Sequence, residues 1–286
     1  MLPGMAGKPT IAIVGVGNLG TALAVSLYKA GYRIDAIVAR PGKSLARAKR
    51  LAREVRSRVV LDSASVRAQI LWLCVPDTQI AQAAKSLADR PGTWKIALHS
   101  SGALTSDELA PLRKVGAAVA SVHPLMTFVR RSRPMLTGVP FAIEGDPAAV
   151  RVVRQIVRDL GGQPYLIRKE DKPAYHAWGT FASPLLTALL ATTEHVAGLA
   201  GVDAKSARRR VIPILLRTLE NYGSTGAEGG FSGPIIRGDV ETVRRHLEVL
   251  RQSPVLRQVY LALATAALEY LPAKNRRALK KLLDSA

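Results

Sequence analysis

Ile11-Ala12-Ile13-Val14-Gly15-Val16-Gly17-Asn18-Leu19-Gly20 stands near the start of the 286-residue chain. The apolar, largely β-branched run predicts a buried strand, and the three glycines predict its turn into a helix carrying Ala22-Leu23-Ala24. In such a turn the first glycine permits a tight bend and the second lets a pyrophosphate approach the backbone. The third lets helix and strand pack closely, and the unpaired N–H groups of the helix start attract phosphate. Gly31 and an apolar run from Ile34 to Val38 complete a strand–helix–strand unit. In that context Gly15, Gly17, Asn18, Leu19 and Gly20 predict a dinucleotide site, where the same spacing alone would be a glycine-rich turn.

Working outward, further strands are predicted at Ile70 to Val75, Ile96 to His99, Ala117 to Val122 and Phe141 to Glu144, with a last short one at Tyr165 to Ile167. Helical patterns lie between them, at Leu19 to Ala30, Ser44 to Val55, Thr78 to Ala88, Ser106 to Val115 and Asp146 to Leu160. This alternation predicts an α/β fold with a mostly parallel, doubly wound sheet. From Lys172 onward only helices are predicted, at Lys172 to Leu199, Ala204 to Asn221, Val240 to Leu250 and Pro254 to Leu271, with a short closing segment. The expected organisation is a Rossmann-like nucleotide domain over 1–168 and an all-α domain over 169–286 for substrate and dimerisation. Ala177 to Thr193 carries no charge and contains Ser183-Pro184; it reads as a buried, Pro-kinked core helix whose all-round apolarity also suits a subunit interface, hence a homodimer. Six glycines between Gly223 and Gly238 predict a flexible loop.

Composition narrows the class. Hydrophobic residues make up 48% and charged residues 22%, ample for a globular core without staples. A single cysteine, Cys74, forbids an intrachain disulfide, and the five histidines show no metal-ligand spacing, so no metal is expected. No signal-peptide pattern opens the chain, no membrane span is expected, and a cytoplasmic location is the default reading. The net charge of +20 is spread along both halves and aromatic residues are only 5%, a poor basis for stacking nucleobases, so a nucleic-acid partner is not expected.

The ends of the predicted strands carry the chemistry. After the second strand stand Arg40, Lys43 and Ser44, where an acidic residue would favour NAD; cations and a hydroxyl suit the 2′-phosphate of NADP. Arg47 and the later basic residues of that helix read as a solvated face. Val75 and Pro76 end an apolar strand at the ligand edge, beside the expected nicotinamide, and Asp77 reads as a helix N-cap. Ser100 and Ser101 follow the next strand with hydroxyls free to meet a small-molecule substrate, and His123-Pro124 ends the one after. Arg130, Arg131 and Arg133 lie just downstream as alternatives for a carboxylate. Lys172 and His176 are four residues apart, so a helix presents both to a common ligand.

Together the decamer at Ile11, Val75-Pro76-Asp77, His99-Ser100-Ser101-Gly102, Ser121-Val122-His123-Pro124-Leu125, Lys172-Pro173-Ala174-Tyr175-His176-Ala177 and Gly233-Pro234-Ile235-Ile236-Arg237-Gly238-Asp239 resemble the Rossmann-like plus DUF2520 proteins. That family is similar to NADP-linked reductases of the 6-phosphogluconate dehydrogenase-like group, including β-hydroxyacid dehydrogenases and pyrroline-5-carboxylate reductases. The resemblance implies an NADP-dependent oxidoreductase moving a hydride between cofactor and a small carbonyl or imine compound. Hydroxyacid dehydrogenases use Lys and Asn at the spacing of Lys172 and His176, so Lys172 is the expected proton donor, with His176 in place of the Asn. Ser100, Ser101 and His123 are expected to orient the substrate. The alternative is a noncatalytic NADP-sensing regulator that binds a protein or nucleic acid.

Overall fold

The computed structural model describes residues 7–42, 44–61, 66–89, 92–129 and 135–286. By its internal contacts the chain divides into Met1–Thr180 and Phe181–Ala286. The helix bearing Lys172 and His176 therefore belongs with the sheet, although the change of texture in the sequence falls at residue 168.

The first unit is a single sheet of eight strands: β1 (Ile11–Val14), β2 (Ile34–Val38), β3 (Arg58–Val60), β4 (Ile70–Leu73), β5 (Ile96–His99), β6 (Ala118–Pro124), β7 (Pro140–Gly145) and β8 (Gln163–Leu166). Their spatial order is β3-β2-β1-β4-β5-β6-β7-β8. All neighbours run parallel except β6 and β7. The three-residue edge strand β3 escapes a reading by hydrophobic runs because it pairs only with β2 and begins on the charged Arg58.

Strand alternation builds two cores. Ile11, Ile13, Ile70, Trp72, Ile96 and Leu98 point to one face, under α1 (Asn18–Lys29), α2 (Leu45–Glu54) and α5 (Pro147–Asp159). Ala12, Val14, Leu71, Leu73 and Ala97 point to the other, under α3 (Ile80–Ala88) and α4 (Ala110–Lys114). Burial on both faces is why the central strands read as continuous apolar runs. Strand order reverses direction between β1 and β4, and the crevice beyond their carboxyl ends is where an open α/β sheet takes its ligand. After β8 a short turn leads into α6 (Lys172–Thr180).

The second unit begins with a π-helical turn at Phe181–Leu185 around Pro184, followed by α7 (Leu186–Leu199) and α8 (Ala204–Gly230). Pro184 breaks the α-helical ladder, as its sequence position predicts. The expectation of a buried core helix is overturned, since α7 has no buried residue and α8 leaves Ile212, Ile214, Leu216, Leu219 and Tyr222 exposed. The expected loop from Gly223 is instead helical to Gly230, with a non-helical break at Gly226 (φ 73°). The short α9 (Pro234–Arg237) precedes α10 (Val240–Leu250), whose N-cap Asp239 accepts the Thr242 N–H. With α11 (Pro254–Tyr270) and α12 (Arg276–Asp284), α10 closes a small core of Val243, Leu247, Ala264, Leu268, Leu279, Leu282 and Leu283. Among the described residues no single helix is long and apolar enough to cross a membrane; only 169–199 and 204–237 taken together, bent at their break, reach that composition.

Gly20 lets α1 sit against the strand ends: a Cβ there would lie 2.3 Å from the Gly15 carbonyl oxygen and 3.0 Å from Cys74 Cβ. Neither neighbour is the end of a flexible side chain, so Gly20→Ala is expected to destabilise the protein by about 3 kcal/mol, read as a lower urea midpoint with unchanged slope. An unshifted midpoint would show that α1 moves aside freely.

Candidate functional site

Two groups of residues meet the carboxyl ends of the strands. The first is a cradle at the start of α1. Gly15 has φ +103°, and a Cβ on it would approach the Cys74 carbonyl oxygen to 2.6 Å, so this turn tolerates only glycine. A Cβ on Gly17 would meet nothing nearer than 3.9 Å; the position is exposed and open. Gly17 caps a helix that has no acidic residue in its first turn and no side-chain cap, leaving N–H groups for an anion. Leu19 contributes only backbone there, because its side chain packs on the core.

A cavity of about 880 Å³ runs from Gly15 and Gly17 past Val75 and Pro76 to Arg40, Ser44 and Arg47, and along α3 to Gln82 and Ser86. The Ser44 hydroxyl donates to the Arg40 carbonyl (3.2 Å), and the Arg40 guanidinium contacts the Gln79 amide oxygen. Lys43 lies outside the described residues, as do Arg130, Arg131 and Arg133. Arg47 corrects the sequence reading. Instead of facing solvent it donates to Asn18 Oδ1 at 2.9 Å, while Asn18 Nδ2 donates to the Phe128 carbonyl at 3.0 Å. The available signal was its place one helical turn after Ser44. This cradle fits a dinucleotide with an extra phosphate: open backbone at Gly17, a helix start and two guanidinium groups.

The second group surrounds the turn after β5. His99 Nε2 donates to the Thr105 carbonyl (2.9 Å), and its Nδ1 accepts the Ser101 N–H (3.1 Å), which sets the tautomer. Ser100 Oγ accepts from Trp72 Nε1 (2.8 Å). Ser101 donates its hydroxyl to Asp77 (2.6 Å) and accepts from the Ala103 and Leu104 N–H groups. Asp77 is therefore a clamp on Ser101 rather than the expected N-cap; Pro76 holds the cap position of the turn Asp77–Gln79. The serine hydroxyls expected to face a substrate are turned inward, with Ser100 only 7% and Ser101 only 4% exposed.

Lys172 also departs from expectation. It has no accessible surface, and its ammonium donates to the Ser101 carbonyl (2.9 Å) and to Ser121 Oγ (2.6 Å). The register of α6 turns this side chain down into the sheet ends, away from the surface. Burial lowers it to about 8, partly offset by the Glu144 and Asp77 carboxylates. Glu144 is itself held by the Ser106 N–H and hydroxyl (2.6 and 2.8 Å).

What remains open is histidine. His123 and His176 lie with ring centroids 6.3 Å apart, and both flank Gly102: a Cβ there would come 2.6 Å from His176 Cδ2 and 2.9 Å from His123 Nε2. His176 is exposed and His123 partly so. The second nitrogen of His123, Nδ1, lies 2.7 Å from the hydroxyl of Tyr175, a buried residue the sequence reading gave no separate role. Burial pushes His99 and His123 down to about 4, with the Lys172 ammonium adding to the shift on both.

Residues 6–124 match the family model of a Rossmann-like domain, and residues 139–267 match DUF2520, a domain of unknown function. No curated protein matches the chain. Among solved structures, a Bacteroides fragilis protein assigned as an NADP oxidoreductase is similar with TM-score 0.75 and 20% identity, over 91% of this chain and 97% of that one. A Thermotoga maritima protein gives TM-score 0.70 and 24% identity over 96% and 98%. A reductive aminase from Aspergillus terreus, in complex with a nicotinamide cofactor, cyclohexanone and allyl amine, gives 0.66 and 16% over 98% and 99%. At these identities the likeness is one of fold.

The buried neutral histidines make stability depend on pH. Unfolded, each ring takes a proton near 6.5; folded, His99 and His123 do so only near 4. Their contribution is complete above pH 6.5 and is lost as pH falls toward 4, by roughly 3 kcal/mol for His99 alone. Urea midpoints are therefore expected to fall from pH 6.5 to 5.0, with His99→Gln flattening the fall, and to rise slightly from 7.0 to 8.0 as the folded Lys172, lowered to about 8, loses its proton before the unfolded one does. A midpoint constant from pH 7 to 5 would contradict the buried neutral rings.

Proposed function

We propose that this chain, which joins a Rossmann-like domain to a DUF2520 domain, is an NADP-dependent oxidoreductase acting on a small carbonyl or imine compound. The observation that carries the reading is the meeting, along one sheet edge, of a glycine cradle with basic walls and a pair of histidines over a bare glycine. The NADP-linked reductases and the reductive aminase of the same fold support it by analogy.

NADPH, when bound, supplies a hydride, and the remaining work falls to this chain. Gly15, Gly17, Asn18 and Gly20 cradle the pyrophosphate with backbone N–H groups, and Leu19 anchors the helix that presents them. Arg40, Ser44 and Arg47 take the 2′-phosphate, while Val75 and Pro76 wall the nicotinamide end. His123 and His176 meet the substrate at Gly102. Lys172 acts from below as a positioning residue, since its ammonium holds the Ser101 carbonyl and thereby the Ser100-Ser101-Gly102 turn. We also propose a homodimer in which the exposed apolar residues of α8 and the unburied α7 are covered by a second copy.

NADPH at a hundredfold excess over its Kd is expected to stabilise the protein by about 2.7 kcal/mol, and NADH at equal concentration by clearly less. Arg47→Ala should weaken NADPH binding about tenfold, the loss of one charge-assisted contact, and leave NADH nearly unchanged. Equal binding of both cofactors by the wild type would remove the NADP assignment. Light scattering at micromolar concentration should give about 61 kDa, twice the 30.6 kDa chain; a 30.6 kDa particle would refute the dimer.

A further inference from the structure

Tyr175 sits three residues after Lys172 on α6, so the helix turns both inward toward the ends of β5 and β6. Its hydroxyl lies 2.7 Å from His123 Nδ1, with the two rings edge to face at 83°. A phenol is the stronger acid of this pair and a pyridine-type imidazole nitrogen the stronger base, so the phenol donates and Nδ1 accepts. A neutral ring that accepts at Nδ1 carries its hydrogen on Nε2. Among the described residues that nitrogen has no partner and is not one of the buried unpaired polar atoms, which leaves it for a ligand. It stands beside Gly102, where any side chain would collide with it.

The surroundings keep the ring neutral. Around His123 are the Lys172 ammonium, His176, His99, the Asp77 carboxylate and the Tyr175 phenol; burial acts first, the Lys172 charge next, and Asp77 opposes them. Burial, with Tyr165 alongside, also holds the Tyr175 phenol above its ordinary value, so it stays a donor.

We propose that Tyr175 fixes His123 as its Nε2–H tautomer and that this N–H donates to the reacting oxygen of the substrate, so that the site takes aldehydes or ketones in preference to preformed iminium ions. The proposal rests on the reductase reading above and names its substrate class. A neutral donor is complementary to an oxygen on which negative charge grows. An iminium nitrogen has no lone pair to accept the bond, and its charge would approach the buried Lys172 ammonium. As a hydride joins the carbonyl carbon and the nicotinamide is oxidised, the π electron pair passes to oxygen. That oxygen, held by the Nε2–H hydrogen bond, takes its proton from water, leaving hydroxide, while His123 and Tyr175 keep their own protons. Tyr175 never touches the substrate and is a positioning residue.

The test is ¹⁵N NMR of histidine-labelled, NADP-loaded protein, with His123 assigned by its loss in His123→Asn. The expected signal is a ring protonated at Nε2 and bare at Nδ1, unchanged from pH 8 to pH 5.5. Tyr175→Phe keeps the aromatic ring and is expected to mix the tautomers, to move the His123 titration upward, and to lower kcat/KM for ketone reduction about 10- to 100-fold, with a new acid limb and unchanged NADPH affinity. A matched panel of ketones, aldehydes and preformed cyclic iminium ions should be reduced in favour of the carbonyls. A wild-type ring protonated at Nδ1 overturns the tautomer assignment whatever the enzyme reduces, and it does not require the variant to fold. Faster reduction of the iminium ions overturns the substrate class while leaving the reductase reading in place. An Nε2–H ring in a protein that oxidises NADPH with no member of the panel overturns the donor role together with the reductase reading.

Discussion

The ammonium of Lys172 is a full charge with no access to water, and a charge so placed persists only where oxygen atoms surround it. Here they are the Ser101 carbonyl and the Ser121 hydroxyl, at the ends of β5 and β6. That requirement fixes several things at once. It ties α6 to the sheet, which is why this helix clusters with the first compact unit. It orients the Ser101 carbonyl inward, and the Ser101 side chain is then free to bind Asp77 while its N–H meets His99. The turn is held from three directions before any ligand arrives.

Rigidity there matters because the groups left for chemistry are few. The His123 ring, which burial keeps uncharged, can donate or accept, but it brings no fixed charge of its own, so its effect depends on placement. Gly102 gives the ring of His123 room to reach the ligand edge, and Tyr175 occupies its far nitrogen. The cradle at the start of α1 follows a different logic. There the backbone does the binding, so glycines at 15 and 20 are required by contact and the one at 17 by openness. The excess of positive charge shows locally in Arg40 and Arg47, which wall the same cavity as the cradle.

By itself the sequence determined whatever depends on neighbours along the chain. Apolar, β-branched runs and β/α order established the doubly wound sheet and all its strands except β3, the glycine spacing located the cradle, and the end of the second strand placed Arg40 and Ser44 at its basic wall. These are local signals, because a strand's faces, a helix's turn and a tight bend are set within a few residues. Tertiary structure decided depth and partners. Spacing of four residues put Lys172 and His176 on one side of α6, yet only packing made the first wholly buried and the second exposed. Asp77 meets Ser101 across 24 positions and His123 meets Tyr175 across 52, separations that leave no trace in any window of sequence. The same holds for α7 and α8: their composition declared them apolar, but whether an apolar helix is covered by its own chain is a property of the packed molecule, and here it is not.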